Sequence, residues 1–274
     1  MFFKNWFEKK LKMIWHVEKS GKKSCIAGTA HFFPYSFRSY LNQYIQDAEN
    51  VLFEGPLDQK SMNRVVQAGS QNDQAGHLFD ELNPQTIRSI SRAIAPATGN
   101  RLSFLFLSPY HLDPENPART LVSGMKSWLA FFTIWACFLK KNGWAYSVDL
   151  EAFQVASHLD KKVVFLETIE EQIAVLERIS HEKIIDFLNR VDHWPKYAQQ
   201  YASRYLAGDL ENLKSFRIGF PSRHRSIIDR RDRILYERMA AYFEKGNTMA
   251  FVGAPHIIGI RELLCADGYR IERH

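Results

Sequence analysis

Residues 248–259 read TMAFVGAPHIIG. The uncharged run Thr248 to Val252 predicts a buried strand, Gly253 and Pro255 break it, and from His256 an apolar pattern continues at helical spacing through Leu264. Strand, tight turn and helix in so short a space form the repeating unit of an α/β sheet. A polar group in that turn stands at the carboxyl end of a strand, where such sheets bind ligands.

The same grammar recurs upstream. Cys25-Ile-Ala leads into Gly28-Thr-Ala-His31, a second Gly-x-x-His after an apolar run, matching Gly253-Ala-Pro-His256. Lys12–Glu18 and Lys22–Ala27, joined through Lys19-Ser20-Gly21, predict a hairpin whose turn the glycine supplies. Helical spacing covers Phe37–Asn50, and Val51-Leu52-Phe53 is a short buried strand ended by Glu54-Gly55-Pro56. A helix starts at Pro84 behind the capping Asn83, and a proline-rich loop holds Pro109, Pro114 and Pro117. Ser127–Leu139 (SWLAFFTIWACFL) predicts a core helix. Val148–Leu159 is helical, Lys162–Leu166 is a strand, and Thr168 with Glu171 forms a capping box for the next helix. Long helical patterns fill Ser180–Leu206 and Ser226–Lys245, and a last strand lies near Tyr269–Glu272. Helices alternating with short buried strands give an α/β sheet with covered faces, in one domain over residues 1–274, with residues 1–11 as a basic, aromatic extension.

Composition narrows the function. With 46% hydrophobic, 14% aromatic and 24% charged residues in 274, the chain is neither disordered nor a small disulfide scaffold. The net charge of +6 is local: seven lysines against Glu8 and Glu18 in residues 1–23 carry five of the six charges. No basic stripe or recognition motif accompanies them, so nucleic acid is not an expected partner. Phe2, Phe3, Trp6 and Phe7 beside Lys4, Lys9 and Lys10 read either as a solvated first turn or as a peripheral contact with an anionic membrane. The start lacks a secretory signal, and the apolar run at 127–139 is too short for about 30 Å of hydrocarbon. The expectation is a cytoplasmic protein with Cys25, Cys137 and Cys265 as reduced core residues. Nucleotide-binding glycine motifs are absent.

Two further strands end in a carboxylate: Val51-Leu-Phe-Glu54 and Val163-Val-Phe-Leu-Glu167. A glutamate directly after buried apolar residues needs a cation or water to face. If the four strand ends converge, His31, His256, Glu54 and Glu167 form a two-histidine, two-carboxylate cluster suited to zinc, manganese or cobalt with an open position for water. Taken singly, each histidine reads more readily as a hydrogen-bonded loop residue than as a ligand, and Glu167 could simply extend the Thr168 cap.

The ordered motifs G-T-x-H (Gly28–His31), V-x-x-E-G (Val51–Gly55), V-D (Val148-Asp149), L-E-T before Gln172 (Leu166–Thr168), R-D (Arg231-Asp232), V-G-x-x-H-x-x-G (Val252–Gly259) and G-Y (Gly268-Tyr269) resemble those of the TraB/GumN/Tiki family over Lys12 to Arg273. The resemblance implies two related α/β half-sheets, covered by helices, that bring the two Gly-x-x-His motifs together. Its wider relatives include a metal-dependent peptidase acting on a secreted signalling protein, erythromycin esterases with a histidine proposed as base, haem-binding lipoproteins and pheromone-shutdown proteins. Carried over, it implies a central site of His31, Glu54 and His256, supported by Glu167 and Arg231. Asp232 stands where the family usually has asparagine.

The leading expectation is therefore a metal-dependent hydrolase, a peptidase first, acting on a peptide or small-molecule substrate. His31, Glu54 and His256 would hold the divalent metal, lowering the pKa of bound water to about 7. Glu167 would accept its proton, and Arg231 would stabilise the oxyanion, unless Arg223, Arg225, Arg230, Arg231, Arg233 and Arg238 merely form a solvated helix face. A second expectation keeps the residues without metal, with His31 as general base and Glu54 orienting it, as in an esterase. A third is a non-catalytic cleft for a peptide or haem.

Overall fold

The computed structural model describes residues 8–70, 75–95, 117–215, 219–223 and 225–273. Its centre is one six-stranded sheet built from β1 (Ile14–Lys19), β2 (Lys22–Thr29), β3 (Asn50–Phe53), β4 (Lys162–Phe165), β5 (Thr248–Gly253) and β6 (Arg270–Arg273), in the order β4-β3-β5-β2-β1-β6. β4, β3, β5 and β2 run parallel, while β1 is antiparallel to both β2 and β6. The chain has the α/β fold its strand–turn–helix units predict.

The two expected half-sheets join into one continuous sheet. The physical reason lies in β2 and β5, the strands carrying the two Gly-x-x-His motifs, which pair directly with Gly28 opposite Val252 and Thr29 opposite Gly253. A sheet joined through those two strands leaves no seam. Burial follows position: β5 and the second half of β2 are buried, as interior parallel strands must be, whereas edge strands β4 and β6 are largely exposed.

Local chemistry explains most boundaries. In the β1–β2 turn, Ser20 and Gly21 both take positive φ (51° and 76°), the combination a two-residue type I′ hairpin turn requires. Thr168 and Glu171 close the capping box at the start of the helix Ile169–Leu176. The helix Arg38–Gln46 ends earlier than its periodicity predicts because the chain must straighten by Asn50 to enter β3. The continuous pattern over Ser180–Leu206 is two helices, His181–Leu188 and Trp194–Ala207, separated by a 3-10 turn at Val191–His193. Pro195 has no N–H for a helical hydrogen bond and is tolerated only in a first turn, so a new helix has to start there.

Helices Arg225–Lys245 and Ile257–Ala266 pack together, the former against β2 and β5. Helices Arg38–Gln46 and Val148–His158 form another pair, the latter against β3 and β4. The apolar helix Ser127–Lys141 is a buried core helix, and Trp135 sits 5.3 Å from Phe187 and 5.6 Å from Trp194 between ring centroids. Among the described residues, no helix is long and apolar enough to cross a membrane.

Of the expected N-terminal extension, residues 8–11 are described and are docked on the domain: Lys9 N–H donates to Ser36 O at 3.0 Å, the Glu8 carboxylate accepts from Ser39 N–H, and Leu11 is fully buried. The aromatic stretch before them lies outside the described residues, as do Pro109 and Pro114, while Pro117 opens a short helix, Pro117–Leu121. Cys137 is buried and Cys25 half-buried, but Cys265 is exposed, because Ile257, Ile260 and Leu264 supply the inward face of its helix.

Candidate active site

Sheet order decides which strand ends become neighbours. Because β4, β3, β5 and β2 are parallel and adjacent, their carboxyl ends present Glu167, Glu54, His256 and His31 along one sheet edge. Backbone bonds tie these ends together: Glu54 N–H donates to Phe251 O at 3.0 Å, and Glu167 N–H to Glu54 O at 2.8 Å. Three of these four residues, Glu54, Glu167 and His256, meet around a group that was assigned only a supporting role, while His31 pairs with Asp149.

That group is Arg231, on the helix Arg225–Lys245. Its Nε and Nη2 donate to the two Glu167 oxygens at 2.9 and 2.6 Å, Nη2 also donates to Glu54 Oε1, and Nη1 lies 3.2 Å from His256 Nε2. The planar fork on Glu167 is the bidentate geometry guanidinium and carboxylate share. Glu54 Oε2 accepts from Gly253 N–H at 2.7 Å. His256 Nδ1 is 2.6 Å from Asp232 Oδ1, and both residues are buried. Guanidinium nitrogens only donate, so His256 Nε2 accepts and the ring proton sits on Nδ1, given to Asp232. Four hydrogen bonds thus engage most of the N–H groups of Arg231.

The electrostatics follow from this packing. Burial alone would push the Glu54 carboxyl up, but Arg231, aided by His256, the Gly253 N–H and His31, holds it at about 2. Burial opposes the charge on Arg231 as well, and the two glutamates more than restore it. Asp232 is raised by burial, with His256 pulling the other way.

His31 stands at the exposed end of the row. Phe33 N–H donates to Tyr146 O at 2.7 Å and Val148 N–H to Ala30 O at 3.0 Å, latching residues 146–148 beside the end of β2. This brings Asp149, buried in the first turn of its helix, to His31: Nδ1 and Oδ2 are 3.0 Å apart. The Asp149 carboxylate is the chief reason that the His31 imidazole is raised to about 9, with Glu54 acting in the same sense and Arg231 against it. The side chain is 73% exposed, so water screens part of that attraction.

Two glycines make room. A Cβ on Gly259, the last glycine of V-G-x-x-H-x-x-G, would fall 2.0 Å from Asp232 Oδ2. One on Gly28 would meet Ala254 Cα at 3.1 Å, where the two Gly-x-x-His turns pack on each other. The Gly28 carbonyl accepts a 2.6 Å bond from the buried Tyr205 hydroxyl.

The arginines expected as a solvated face divide. Arg238 binds Glu171 through two bonds of 2.6 and 2.7 Å, and Arg223 stacks 4.6 Å above Tyr201. Asp149 and Asp232 carried no assigned role in the sequence reading, although both lie in the V-D and R-D motifs. An aspartate in the first turn of a helix reads as a dipole partner, and nothing local distinguishes one that turns inward.

The expected metal set, His31, Glu54 and His256, does not fit a divalent ion as arranged. The Glu54, Glu167 and His256 atoms that would face an ion accept from the Arg231 guanidinium instead, and the Nδ1 atoms of His256 and His31 are turned to Asp232 and Asp149. Among the described residues, no three His, Cys, Asp or Glu side chains are grouped to hold a metal. The cation of this cluster is an arginine.

Comparison with known proteins gives one match. The TraB/PrgY/gumN family model matches residues 13–273, nearly the whole chain. No curated protein and no solved structure matches it.

Proposed function

The chain belongs to the TraB/PrgY/gumN family, and from that premise we propose that it is a hydrolase of ester or amide bonds in which His31 carries the proton and no metal is required. One observation carries this reading: an exposed imidazole backed through Nδ1 by a buried carboxylate, at the mouth of a preorganised charged cluster. With Nδ1 turned to Asp149, Nε2 is the nitrogen left for chemistry.

Neutral His31 takes a proton from water through Nε2 while the water oxygen attacks the substrate carbonyl. The resulting imidazolium, stabilised by Asp149, returns the proton to the leaving alcohol or amine. Glu54 is a poor base with its carboxyl held near 2, so its part is to fix Arg231. The N–H of Arg231 left outside the four hydrogen bonds is the donor on that side for the developing oxyanion. With the imidazole at about 9, the base form is a minor species at neutral pH, on the order of one molecule in a hundred.

The test is turnover of ester and peptide libraries by protein purified without chelators, with metal content measured on the same sample. We expect hydrolysis that survives EDTA and is lost in His31→Ala. Stoichiometric metal whose removal abolishes turnover would restore the metallopeptidase reading. A Soret band on haem titration, with no turnover of either library, would replace the enzyme with a binding protein.

A further inference from the structure

A cavity of about 590 Å3 abuts the Arg231–Glu167 end of the cluster, within the roughly 300–1,000 Å3 typical of small-molecule sites. Its walls are of two kinds. Val175, Ile227 and Ile234 give it apolar sides, and Arg178, Lys183 and Arg230 bring three cations to it. Its two acidic residues already have arginine partners, Glu167 in Arg231, which it shares with Glu54, and Glu171 in Arg238. Among the described residues, no carboxylate pairs with Arg178, Lys183 or Arg230. The cavity therefore combines an apolar body with an unbalanced positive charge.

We propose that this cavity binds a small amphipathic anion, a carboxylate or phosphate head on an apolar chain. The head group meets the three cations, and the chain covers the Val175, Ile227 and Ile234 surface. A neutral chain would leave the cations uncompensated, a cationic one would be repelled, and an inorganic anion would leave the apolar walls wet. Neither His31 nor Asp149 lines the cavity, so binding stands apart from the hydrolytic reading and is measured without turnover.

Isothermal titration with octanoate and octyl phosphate, below their micellar concentrations, tests this on the full chain. We expect saturable binding of at least one of the two, no binding of octylammonium, and inorganic phosphate at least about tenfold weaker. The double variant Arg178→Glu, Lys183→Glu, which changes one exposed and one half-buried side chain, should weaken the anion by about tenfold or more, whereas His31→Ala should bind as wild type does. Binding should also fall as salt rises from about 0.05 to 0.5 M. Failure of both anions to bind, equal binding of octylammonium, or wild-type affinity in a folded double variant would overturn the proposal. Hydrolysis lost in His31→Ala while neither anion binds wild type would overturn the cavity proposal alone, and saturable anion binding by a protein that turns over neither library would overturn the hydrolase reading alone.

Discussion

Gly259→Ala tests the cluster at its tightest point. The new Cβ would stand 2.0 Å from Asp232 Oδ2 and 2.8 Å from its Cγ, contacts no real methyl group keeps. Asp232 is 5% exposed and has little room, so its carboxylate must swing off His256 Nδ1, which it now meets at 2.6 Å. With the His256 ring neutral, this turns a buried carboxylate off its donor and leaves both groups unsatisfied, at a cost of about 3 kcal/mol or more, and alanine in place of glycine inside a helix returns about 1 kcal/mol. The net expectation is a loss of about 2 kcal/mol or more in urea unfolding at neutral pH. A double-mutant cycle isolates the cause. In an Asp232→Ala background the tightest contact left is 3.2 Å, to the Asp232 Cβ position, so the same glycine change should cost less than about 1 kcal/mol there. An equal penalty in both backgrounds, or a Gly259→Ala protein as stable as wild type, would refute the account.

Other outcomes follow from the same geometry. The His31 ring should titrate near 9 by NMR, and Asp149→Asn should return it towards its ordinary 6.5; if His31 is the base, kcat/KM in wild type climbs with pH up to that value, and a profile that falls over the range assigns the imidazolium the active role instead. His31 is a raised group, so its small contribution to stability is present below about 6.5 and disappears as pH rises through about 9. Glu54 is a depressed group: its contribution is present above about 4.5 and is lost as pH falls towards 2, a loss of about 3 kcal/mol. Arg231→Met should shrink that acid-sensitive leg while destabilising the fold at neutral pH by about 3–5 kcal/mol, as measured by urea unfolding across pH. Tyr205→Phe should cost about 1–2 kcal/mol in the same assay, because the Gly28 carbonyl loses its buried donor.

The parts legible in the sequence are those with a local physical signature. A run of buried apolar residues ending in Glu or His announces a strand end with a polar group that needs company, and this located Glu54, Glu167, His31 and His256 before any geometry. What fills the space between them carries no such mark. Arg231 is one of several arginines on a long amphipathic helix, and only the packing of that helix on β2 and β5 selects the inward one. Asp149 is hidden by its plausibility as a helix-start residue. The break before Pro195 was obscured by periodicity that happens to stay in phase across it. Likewise, pairing of β2 with β5 depends on residues more than two hundred positions apart, which no short pattern encodes.

The same pairing shapes how the chain must be made. β3 bonds to β2 only through β5, so the middle of the sheet is missing until residues 248–253 have been made. From the end of β3 at Phe53 to the start of β5 at Thr248, synthesis at about 10 residues per second takes on the order of 20 s. Throughout that interval β2 and β3 each expose an unpaired edge, with apolar side chains on both faces. Long-range parallel pairing of this kind is slow and invites association between nascent chains. Truncation before β5 should therefore yield an aggregating chain rather than a smaller domain, and chaperone occupancy during translation should persist until the segment TMAFVG has emerged.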